Sequence, residues 1–336
     1  MEESRTKKMK LLVTGGCGFI GSNFIHRCFD LKNDFEITNL DAMYTGSNNL
    51  NFQKPSKKEY KFVKGDICNE NLIKKLIKDV DIIINFAAES HVDRSIVDSK
   101  KFLHSNVLGV HSILEALRKY DDKKFLQIST DEVYGECLKG SFKESRQLNP
   151  SNPYASTKAA AEMLINSYKR TYGLDIVITR CANNFGPRQY PEKLIPRTIL
   201  SALKNESIPI HGDGLARRQW IHVFDHCDAI LKIISNWKSS SIYNISSNVE
   251  KPNIEVVKII LKKMKKSTDL LNFVKDRPGQ DKRYSINSEK IKKELNFKSS
   301  TSFNKGIEDT ISWYLQNRNW SKKIILKNIK STPWAK

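Results

Sequence analysis

The sequence lacks the features that mark secreted, membrane-spanning and zinc-binding proteins. No apolar run approaches the roughly 18 residues that a membrane helix requires, and the N-terminal segment lacks the apolar stretch of a secretory signal. The cysteines form no C-x-x-C spacing, so neither a disulfide framework nor a zinc ribbon is indicated. They stand at positions 17, 28, 68, 137, 181 and 227. These absences predict a cytoplasmic protein with free thiols, no metal site and no membrane partner.

Acidic residues are also scarce. The chain has 37 Asp and Glu against 57 Lys and Arg, a net charge of +20. Such a charge could attract nucleic acid, an anionic membrane surface or an anionic small substrate. However, the lysines are spread over most of the chain, and no basic motif interleaved with aromatic residues accompanies them. A solvated lysine-rich surface is therefore predicted, and no nucleic-acid partner.

Short apolar strands alternate with helical stretches along the first half of the chain. The predicted strands cover residues 11–14, 36–40, 61–63, 81–86, 125–129 and 175–180. This alternation is typical of parallel βαβ units and predicts an α/β fold with a doubly wound, Rossmann-like sheet. Such a sheet binds ligands beyond the carboxyl ends of its strands.

The second half of the chain reads differently. A long helix is expected over 154–172, and prolines and glycines then punctuate the region up to Arg218, as in loops over a ligand. Residues 220–225 are predicted to rejoin the sheet, with Asp225 capping the next helix. The apolar face of a C-terminal helix is marked by Phe303, Ile307, Ile311 and Tyr314.

A glycine-rich loop follows the first predicted strand and opens a helix. The spacing is G-x-x-G-x-x-G, in the segment from Gly15 through Gly18, Phe19 and Ile20 to Gly21. Glycine is needed there because a side chain would block the tight turn, the approach of a pyrophosphate to the backbone amides, and close helix packing. The loop therefore predicts a dinucleotide site.

Acidic and small residues follow the next strands in register with that loop. Asp41 ends the second strand, where a carboxylate can accept both ribose hydroxyls and repel a 2′-phosphate, which favours NAD over NADP. Asp66 and Ile67, after the third strand, would lie near the adenine. Small residues after the fourth strand would let the pyrophosphate and ribose lie close; this segment is Phe86, Ala87 and Ala88.

Tyr154 and Lys158 stand four residues apart on the predicted long helix. At that spacing they lie on one helix face, so the ammonium can stabilise the phenolate and make tyrosine a usable base near neutral pH. Such a pair serves hydride-transfer chemistry. Thr130, Asp131 and Glu132 end a nearby strand, and the two carboxyl groups supply a second acid and a second base. Oxidation of an alcohol alone would not need them.

Several longer blocks accompany these features. They are residues 87–95 (AAESHVDRS), 129–135 (STDEVYG), 183–187 (NNFGP), 191–196 (PEKLIP) and 276–279 (DRPG). Together with the glycine loop and the Tyr-x-x-x-Lys pair, they resemble the extended short-chain dehydrogenase/reductase superfamily. Within it, the chain is most similar to the dTDP-glucose 4,6-dehydratase family, and the resemblance extends from about residue 10 to residue 313. The acidic pair is the most discriminating block, because sugar-nucleotide epimerases and decarboxylases of the superfamily usually lack it.

The resemblance implies a lyase that uses NAD and returns it unchanged. Tyr154 would take the proton of the sugar 4-hydroxyl while hydride passes from C4 to NAD. Lys158 would hold the phenolate and the nicotinamide ribose, and Thr130 would bind the reacting hydroxyl. Glu132 would then remove the C5 proton and Asp131 would protonate the departing 6-hydroxyl, after which hydride returns to C6. The product would be a 4-keto-6-deoxy sugar nucleotide.

The resemblance also implies binding residues. Beyond the loop and strand ends already named, the cofactor would be touched by Ser105, Ser129 and Asn184, together with Tyr154 and Lys158. The nucleotide and diphosphate of the sugar would be held by Ser90, Asn183, Lys193, Arg218 and Asn253, with Arg277 and Tyr284 nearby. Gln219 departs from the family, which commonly has aspartate there, so the orientation of Arg218 is in question.

The same resemblance divides the chain into domains. An NAD-binding Rossmann-like domain would cover 9–182, and residues 219–250 would return to it. A smaller α/β sugar-nucleotide-binding domain would comprise 183–218 and 251–320, and 321–336 would form a basic tail. In the superfamily, the helices near 102–119 and 154–172 commonly form a dimer interface, so a homodimer is expected.

Three functions are compatible with these residues. The first is the dehydratase, with dTDP-glucose or UDP-glucose as substrate. An NAD-dependent sugar-nucleotide 4-epimerase would share Tyr154, Lys158 and NAD but leave the 6-hydroxyl in place. The third is a non-catalytic cofactor-bound or nucleic-acid-binding protein, for which the charge of +20 is the motive. A metal site at His222 and His226, with Asp225 and Asp228, is rejected. His222 is predicted in a strand and His226 in the following helix, and the chemistry needs no metal.

Overall fold

The computed structural model describes residues 8–31, 34–51, 59–322, 330 and 332–334. The predictions on the N-terminal segment and on most of the basic tail, 321–336, lie outside these residues. Among the described helices, none has the length and apolarity that crossing a membrane would need.

The strands in chain order are β1 (Met9–Thr14), β2 (Phe35–Asp41), β3 (Tyr60–Lys64), β4 (Ile82–Asn85), β5 (Lys124–Thr130), β6 (Asp175–Cys181), β7 (Asn183–Phe185), β8 (Ile208–His211), β9 (Arg217–His222), β10 (Ile242–Ile245), β11 (Val249–Pro252) and β12 (Leu271–Val274). The helices are α1 (Phe19–Asp30), α2 (Glu70–Ile77), α3 (Val92–Val97), α4 (Lys100–Phe102), α5 (Gly109–Leu117), α6 (Pro153–Tyr172), α7 (Leu194–Lys204), α8 (Val223–Ser235), α9 (Asn253–Lys263), α10 (Glu289–Leu295), α11 (Phe303–Gln316) and α12 (Arg318–Lys322). A π-helical stretch, Leu103–Leu108, joins α4 to α5.

Within the described chain, a seven-stranded parallel sheet has the order β10-β6-β5-β4-β1-β2-β3. The order reverses between β1 and β4, and a doubly wound sheet opens a ligand crevice at such a point. The predicted α/β fold with a Rossmann-like sheet is confirmed. Each of the six strands predicted from the sequence is present, and β10 is a seventh strand that was not predicted individually.

Both faces of this sheet are covered by helices, which explains the continuous apolar runs of its strands. Alternate residues of β1 point to opposite faces. Leu11 and Val13 pack in a cluster with α1 and α8, whereas Leu12 packs with α2, α5 and α6. The sheet is thereby fixed in register, and the ends of its strands form a rigid floor for a site.

Three features of the second half differ from the sequence prediction. First, β9 does not rejoin the large sheet but pairs with β7 and β11 in a separate three-stranded sheet. Second, the helix after it begins with His222 as N-cap. Asp225 lies in the first turn and accepts hydrogen bonds from Ser300 and Thr301. Third, the proline-rich region contains a regular helix, α7, in which Pro196 occupies the first turn, where its missing N–H costs nothing.

The smaller sheets and the last helices share a second core. Residues of α7, α9 and α11 pack around Phe185 of β7 and Trp220 of β9. The predicted apolar face of the C-terminal helix is confirmed, because its four marker residues are all buried in this core. This core holds β9, and an adjoining cluster with α7 and α9 holds β8. Both strands lie beside the carboxyl ends of the large sheet, where the candidate site is found.

Candidate active site

The glycine loop lies directly against the end of β4. Gly15 has φ +68°, and a Cβ added to it would stand 2.5 Å from the backbone nitrogen of Ala87. A Cβ added to Gly21 would stand 2.5 Å from the carbonyl oxygen of Gly15. The loop is therefore a cradle that only glycine can form, open to the backbone amides at the start of α1. This geometry fits the pyrophosphate of a dinucleotide.

Replacing Gly15 with alanine is expected to abolish NAD binding. The new methyl group would displace the end of β4 as well as strain the backbone. Gly140→Ala is the matched control, because Gly140 has φ +70° but nothing within 4 Å of an added Cβ. That variant carries only the cost of left-handed backbone, about 1–2 kcal/mol. The measurement is the NAD content of the purified proteins beside their melting temperatures. Equal NAD content in the two variants would contradict the assignment of the cradle.

Asp41 is buried at the end of β2 and is held by the loops around it. Its carboxylate accepts hydrogen bonds from the backbone amides of Cys17 and Met43, at 2.8 and 2.7 Å, and from the Ser47 hydroxyl at 2.9 Å. Burial raises the pKa of Asp41 despite these three donors. The carboxylate thus ties the glycine loop to the segment after β2, a contact that the sequence did not predict. Its predicted contact with the ribose stays a prediction.

Asp66 follows β3 and lines a cavity together with the glycine loop and Asp41. Its carboxylate accepts three hydrogen bonds. They come from the Cys68 amide, the Tyr44 hydroxyl and the His104 ring, at 2.8, 2.7 and 3.1 Å. Burial acts to raise the pKa of Asp66, but the hydrogen bonds from these donors outweigh burial, so the pKa lies below its ordinary value. Asp66, Cys68 and His104 are also close enough together to hold a metal ion. The hydrogen bonds account for their proximity without one.

The catalytic candidates lie where β5 ends and α6 begins. Thr130 is the last residue of β5, and Asp131–Tyr134 form a 3-10 turn capped by the Thr130 hydroxyl. The side chain of Asn152 caps α6, and Pro153 occupies its first turn. Tyr154 therefore lies at the very start of the helix with Lys158 one turn later, as predicted. Both side chains are buried and line the cavity.

The electrostatics of this pair differ from the prediction. The Lys158 ammonium donates to the carbonyl oxygen of Ile128 at 2.7 Å. Burial lowers the pKa of Lys158 to about 8, against the opposing charge of Glu162. Burial, followed by the charge of Glu132, raises the pKa of Tyr154 well above its ordinary value, and the Thr130 hydroxyl acts in the opposite direction. Lys158 alone therefore does not make the phenol a base near neutral pH.

The two neighbouring carboxyl groups have different environments. Asp131 is 2 % exposed, and burial, reinforced by the charge of Glu132, raises its pKa to about 8. Glu132 is only partly buried and accepts a hydrogen bond from the Asn152 amide at 3.3 Å. At neutral pH, Asp131 is therefore protonated and can donate a proton. The burial of one carboxyl group thus imposes the difference that paired acid and base chemistry requires.

A buried ion pair supports the catalytic strand and helix from behind. Glu162 is fully buried one turn beyond Lys158 on α6. It accepts hydrogen bonds from Ser129 at 2.5 Å and from the guanidinium of Arg180, the closest at 2.6 Å. Arg180 also donates to the Tyr134 hydroxyl. The sequence analysis missed this network, because no local pattern places β6 beside α6.

The predicted substrate residues lie along a second cavity that adjoins the first. Lys193 donates to the carbonyl oxygen of Ser90 at 2.7 Å. Arg277 pairs with buried Asp93 at 2.5 Å. The guanidinium of Arg218 lies 4.2 Å from the centre of the Tyr284 ring. These cations come from three separate loops and strands, and a diphosphate offers the oxygens and negative charge that they require.

Gln219 has no contact with Arg218 that could disturb it. The Arg218 guanidinium donates to the backbone carbonyl oxygens of Arg217 and Asp281, at 2.8 and 2.9 Å. Gln219 instead accepts from the Ile286 amide at 2.9 Å and from a serine hydroxyl. The glutamine therefore fastens a neighbouring loop, and the arginine is oriented without an aspartate.

All the predicted site residues line one of the two cavities. The first cavity is lined by Gly15, Gly18, Phe19, Ile20, Gly21, Asp41, Asp66, Ile67, Phe86, Ala87, Ala88, Ser90, Ser105, Ser129, Thr130, Asp131, Tyr154 and Lys158. The second is lined by Arg218, Asn253, Arg277 and Tyr284. Both are lined by Glu132, Asn183, Asn184 and Lys193. Glu132 thus stands at the junction between the two cavities.

Other lining residues were missed by the sequence analysis. Tyr44 lines the first cavity, and Gln189 and Glu192 line both. Glu192 is buried, its carboxylate pairs with Arg94, and burial raises its pKa. The signal for Glu192 was its place beside Lys193 in the PEKLIP block. Tyr44 and Gln189 carry no comparable signal, because only the fold brings them to the cavity.

The histidines considered for a metal site have other partners. The His222 ring accepts from the Phe224 amide and caps α8. The Nδ1 atom of His226 lies 2.9 Å from the side-chain oxygen of Asn184, and burial lowers the pKa of His226 to about 3. These residues are accounted for by the fold.

A doubly wound sheet with a glycine cradle at its switch point and a Tyr-x-x-x-Lys pair beside it defines an NAD-dependent extended short-chain dehydrogenase/reductase. The family model described as "GDP-mannose 4,6 dehydratase" matches residues 12–310. A dTDP-glucose 4,6-dehydratase of Streptomyces niveus is 41 % identical over 93 % of this chain and 94 % of its own length. The "Low-salt glycan biosynthesis protein Agl12" of Haloferax volcanii is 46 % identical over 91 % and 99 %.

A solved structure of a dTDP-glucose 4,6-dehydratase has the same fold. The dTDP-glucose 4,6-dehydratase DesIV of Streptomyces venezuelae, solved with NAD bound, superposes with a TM-score of 0.91 and 39 % identity, covering 93 % of this chain and 98 % of that one. The chain therefore belongs to the dTDP-glucose 4,6-dehydratase family of the extended short-chain dehydrogenase/reductases. The resemblance drawn from its motifs is confirmed.

Proposed function

We propose that the protein is an NAD-dependent hydro-lyase that converts dTDP-glucose to dTDP-4-keto-6-deoxyglucose and water. The observation that carries this proposal is the acidic pair. A buried, protonated Asp131 adjoins a partly exposed Glu132 at the junction of the two cavities, beside Tyr154 and Lys158. Relatives with the same proposed activity are about 40 % identical over most of the chain.

The first step is proton removal from the 4-hydroxyl of the sugar. Tyr154 accepts that proton, Thr130 holds the hydroxyl, and Lys158 keeps a positive charge on the same helix face. NAD, when bound, would supply the acceptor of the C4 hydride and its donor to C6. Its oxidised ring would also add a positive charge to the site, and such a charge near Tyr154 would favour the phenolate and counter the raised pKa of the phenol.

The second step is the loss of water. The new ketone at C4 acidifies the C5 proton, which Glu132 removes. Asp131 donates its proton to the 6-hydroxyl, which leaves as water and gives a 4-keto-5,6-alkene. When hydride is added at C6, Glu132 returns the proton to C5. The low exposure of Asp131 keeps it protonated until the leaving group needs it.

The diphosphate and nucleoside are assigned to the second cavity and its junction with the first. Asn183, Lys193, Arg218 and Asn253 would hold them, with Arg277 and Tyr284 nearby, and Ser90 would contribute from the first cavity. This arrangement places the sugar at the junction, where Glu132 lines both cavities. The cofactor residues of the first cavity would hold NAD as the sequence predicts.

We expect the rate of dehydration to fall as the pH rises through about 8. An acid donates only while protonated, and the pKa of Asp131 is raised to about 8, so kcat should be level below that pH and decline above it. The measurement is kcat across the pH range in wild type and Asp131→Asn. The pKa of Lys158 is also about 8, so Lys158 could cause the same decline. The decline is assigned to Asp131 if the residual rate of Asp131→Asn no longer falls as the pH rises through about 8.

The reaction is tested by offering dTDP-glucose and UDP-glucose to the purified protein and identifying the products. The 4-keto-6-deoxy sugar from dTDP-glucose supports the proposal. A C4-inverted hexose with its 6-hydroxyl intact would instead establish the epimerase. Faster turnover of UDP-glucose than of dTDP-glucose would show that the preferred substrate carries uridine. If neither sugar reacts and RNA is bound in a salt-sensitive way, the non-catalytic alternative would replace the enzyme.

The division into two domains supports this placement. We assign NAD binding to residues 9–182 with 219–250, and substrate binding to 183–218 with 251–320. The large sheet and the helices α7, α9 and α11 have separate cores, which supports two domains. Two segments cross these bounds, because β9 pairs with β7 and β11 and residues between Ile286 and Phe297 pack in the core of the large sheet. A cytoplasmic location is proposed as well, because the six cysteines are all free and thiols persist in reducing compartments.

A homodimer is proposed through α6 and the helical stretch that packs against it. Leu103, Leu108 and Met163 are 49, 55 and 54 % exposed on these elements, which favours burial in an interface. Leu108→Arg is expected to produce a monomer in sedimentation experiments. Leu215→Arg is the control, because Leu215 is 58 % exposed on a loop before β9. A Leu108→Arg variant that remains dimeric would exclude this interface.

A further inference from the structure

Lys330 and Trp334 lie beside the substrate cavity. Lys330 lines that cavity together with Arg218, Asn253 and Arg277. The ring of Trp334 lies edge-on to His211, with 5.4 Å between the ring centres and 80° between the planes. Both residues lie beyond residue 310, where the family match ends.

The contact with His211 places Trp334 against a strand that lines the cavity. His211 is the last residue of β8, whose residues 208–211 all line the cavity. β8 is paired with β12, and the Gly212 amide donates to the carbonyl oxygen of Val274 at the end of that strand. Trp334 is thus packed on a fixed strand end, and edge-on aromatic pairs of this kind are stabilising.

Two other cations around the substrate cavity already have partners in the protein, whereas Lys330 has none among the described residues. Arg277 is paired with Asp93 at 2.5 Å, and Lys193 donates to a backbone carbonyl oxygen at 2.7 Å. Lys330 is exposed and makes no ion pair with any other described residue. Its ammonium is therefore available to an anion in the cavity. A lysine acts on phosphate as a mobile point charge that needs no fixed fork geometry.

We propose that Lys330 is part of the substrate site. Lys330 binds the diphosphate of the sugar nucleotide, and Trp334, packed on His211, positions Lys330 to do so. The proposal rests on the proposed function, because its ligand is a nucleoside diphosphate sugar. It also gives part of the basic tail a function in this chain.

The test compares full-length Lys330→Met and Trp334→Ala with wild type. Both variants are expected to raise KM for dTDP-glucose about tenfold, the worth of one charge-assisted contact, with kcat within twofold and NAD content unchanged. The rise should shrink at high salt, because the lost contact is electrostatic. Lys322→Met, which removes an exposed lysine at the end of α12, should leave KM unchanged.

A second measurement separates this proposal from the reaction itself. The dissociation constant of dTDP, measured by calorimetry, should rise about tenfold in both variants. KM and dTDP affinity within twofold of wild type would overturn the proposal. If wild-type protein binds dTDP but forms no dehydrated product, the proposed reaction fails, and the dTDP affinities of the variants still decide the function of Lys330. Wild-type protein that binds no dTDP would overturn both.

Discussion

Replacing Tyr154 with phenylalanine is expected to lower kcat by about 10³-fold or more and to prevent any reduction of NAD. The hydroxyl is the group that accepts the 4-hydroxyl proton, and loss of a positioned acid or base costs about 10² to 10⁴ in rate. The fold should persist, because the ring packs edge-on to Phe102 with 6.3 Å between the ring centres. The measurement is the absorbance of reduced nicotinamide after dTDP-glucose is mixed with the enzyme.

The control for this variant is Tyr168→Phe. Tyr168 lies on the same helix and its hydroxyl donates to Glu115 at the protein surface. That variant should turn over at the wild-type rate. Reduction of NAD by Tyr154→Phe at an unchanged rate would exclude the phenol as the base of the first step.

Glu132→Gln is expected to stop the reaction at a different point. Glutamine keeps the shape of the side chain and its contact with Asn152, but it cannot remove the C5 proton. Oxidation at C4 should therefore still occur, so part of the nicotinamide becomes reduced, while formation of the dehydrated sugar falls by about 10² to 10⁴. A single-turnover experiment that follows nicotinamide absorbance and product together resolves the two steps.

Glu136→Gln is the matched control, because Glu136 is exposed four residues further along and accepts only from a backbone amide, that of Lys282. It should leave both steps unchanged. Undiminished turnover by Glu132→Gln would refute its assignment as the C5 base. Loss of nicotinamide reduction in that variant would move Glu132 to the first step.

The sequence predicted the cofactor half of the site well, because local geometry determines it. A glycine at φ +68° against a neighbouring strand, as at Gly15, has few alternatives and leaves a spacing that can be read directly. Tyr154 and Lys158 are placed by a single helix with a strong cap, so their separation fixes their relation. The strand ends that carry Asp41 and Asp66 follow from the same alternating pattern.

The remaining features depend on contacts between distant parts of the chain. The strand β9 was predicted to rejoin the large sheet, yet it pairs with β7 and β11, because a strand's own residues do not specify its partner. The raised pKa of Tyr154 arises from burial and from Glu132, which helical spacing does not reveal. The ion pair of Glu162 with Arg180 and the position of Lys330 likewise require the folded structure.

The central claim is that one hydride moves within a single hexose. The most direct measurement gives the enzyme dTDP-glucose deuterated at C4 in ordinary water and locates the label in the product. The account predicts deuterium at C6 of a 4-keto-6-deoxy sugar, with one molecule of water lost. Deuterium that remains at C4 of a hexose with its 6-hydroxyl intact, or a label lost to solvent, would contradict it.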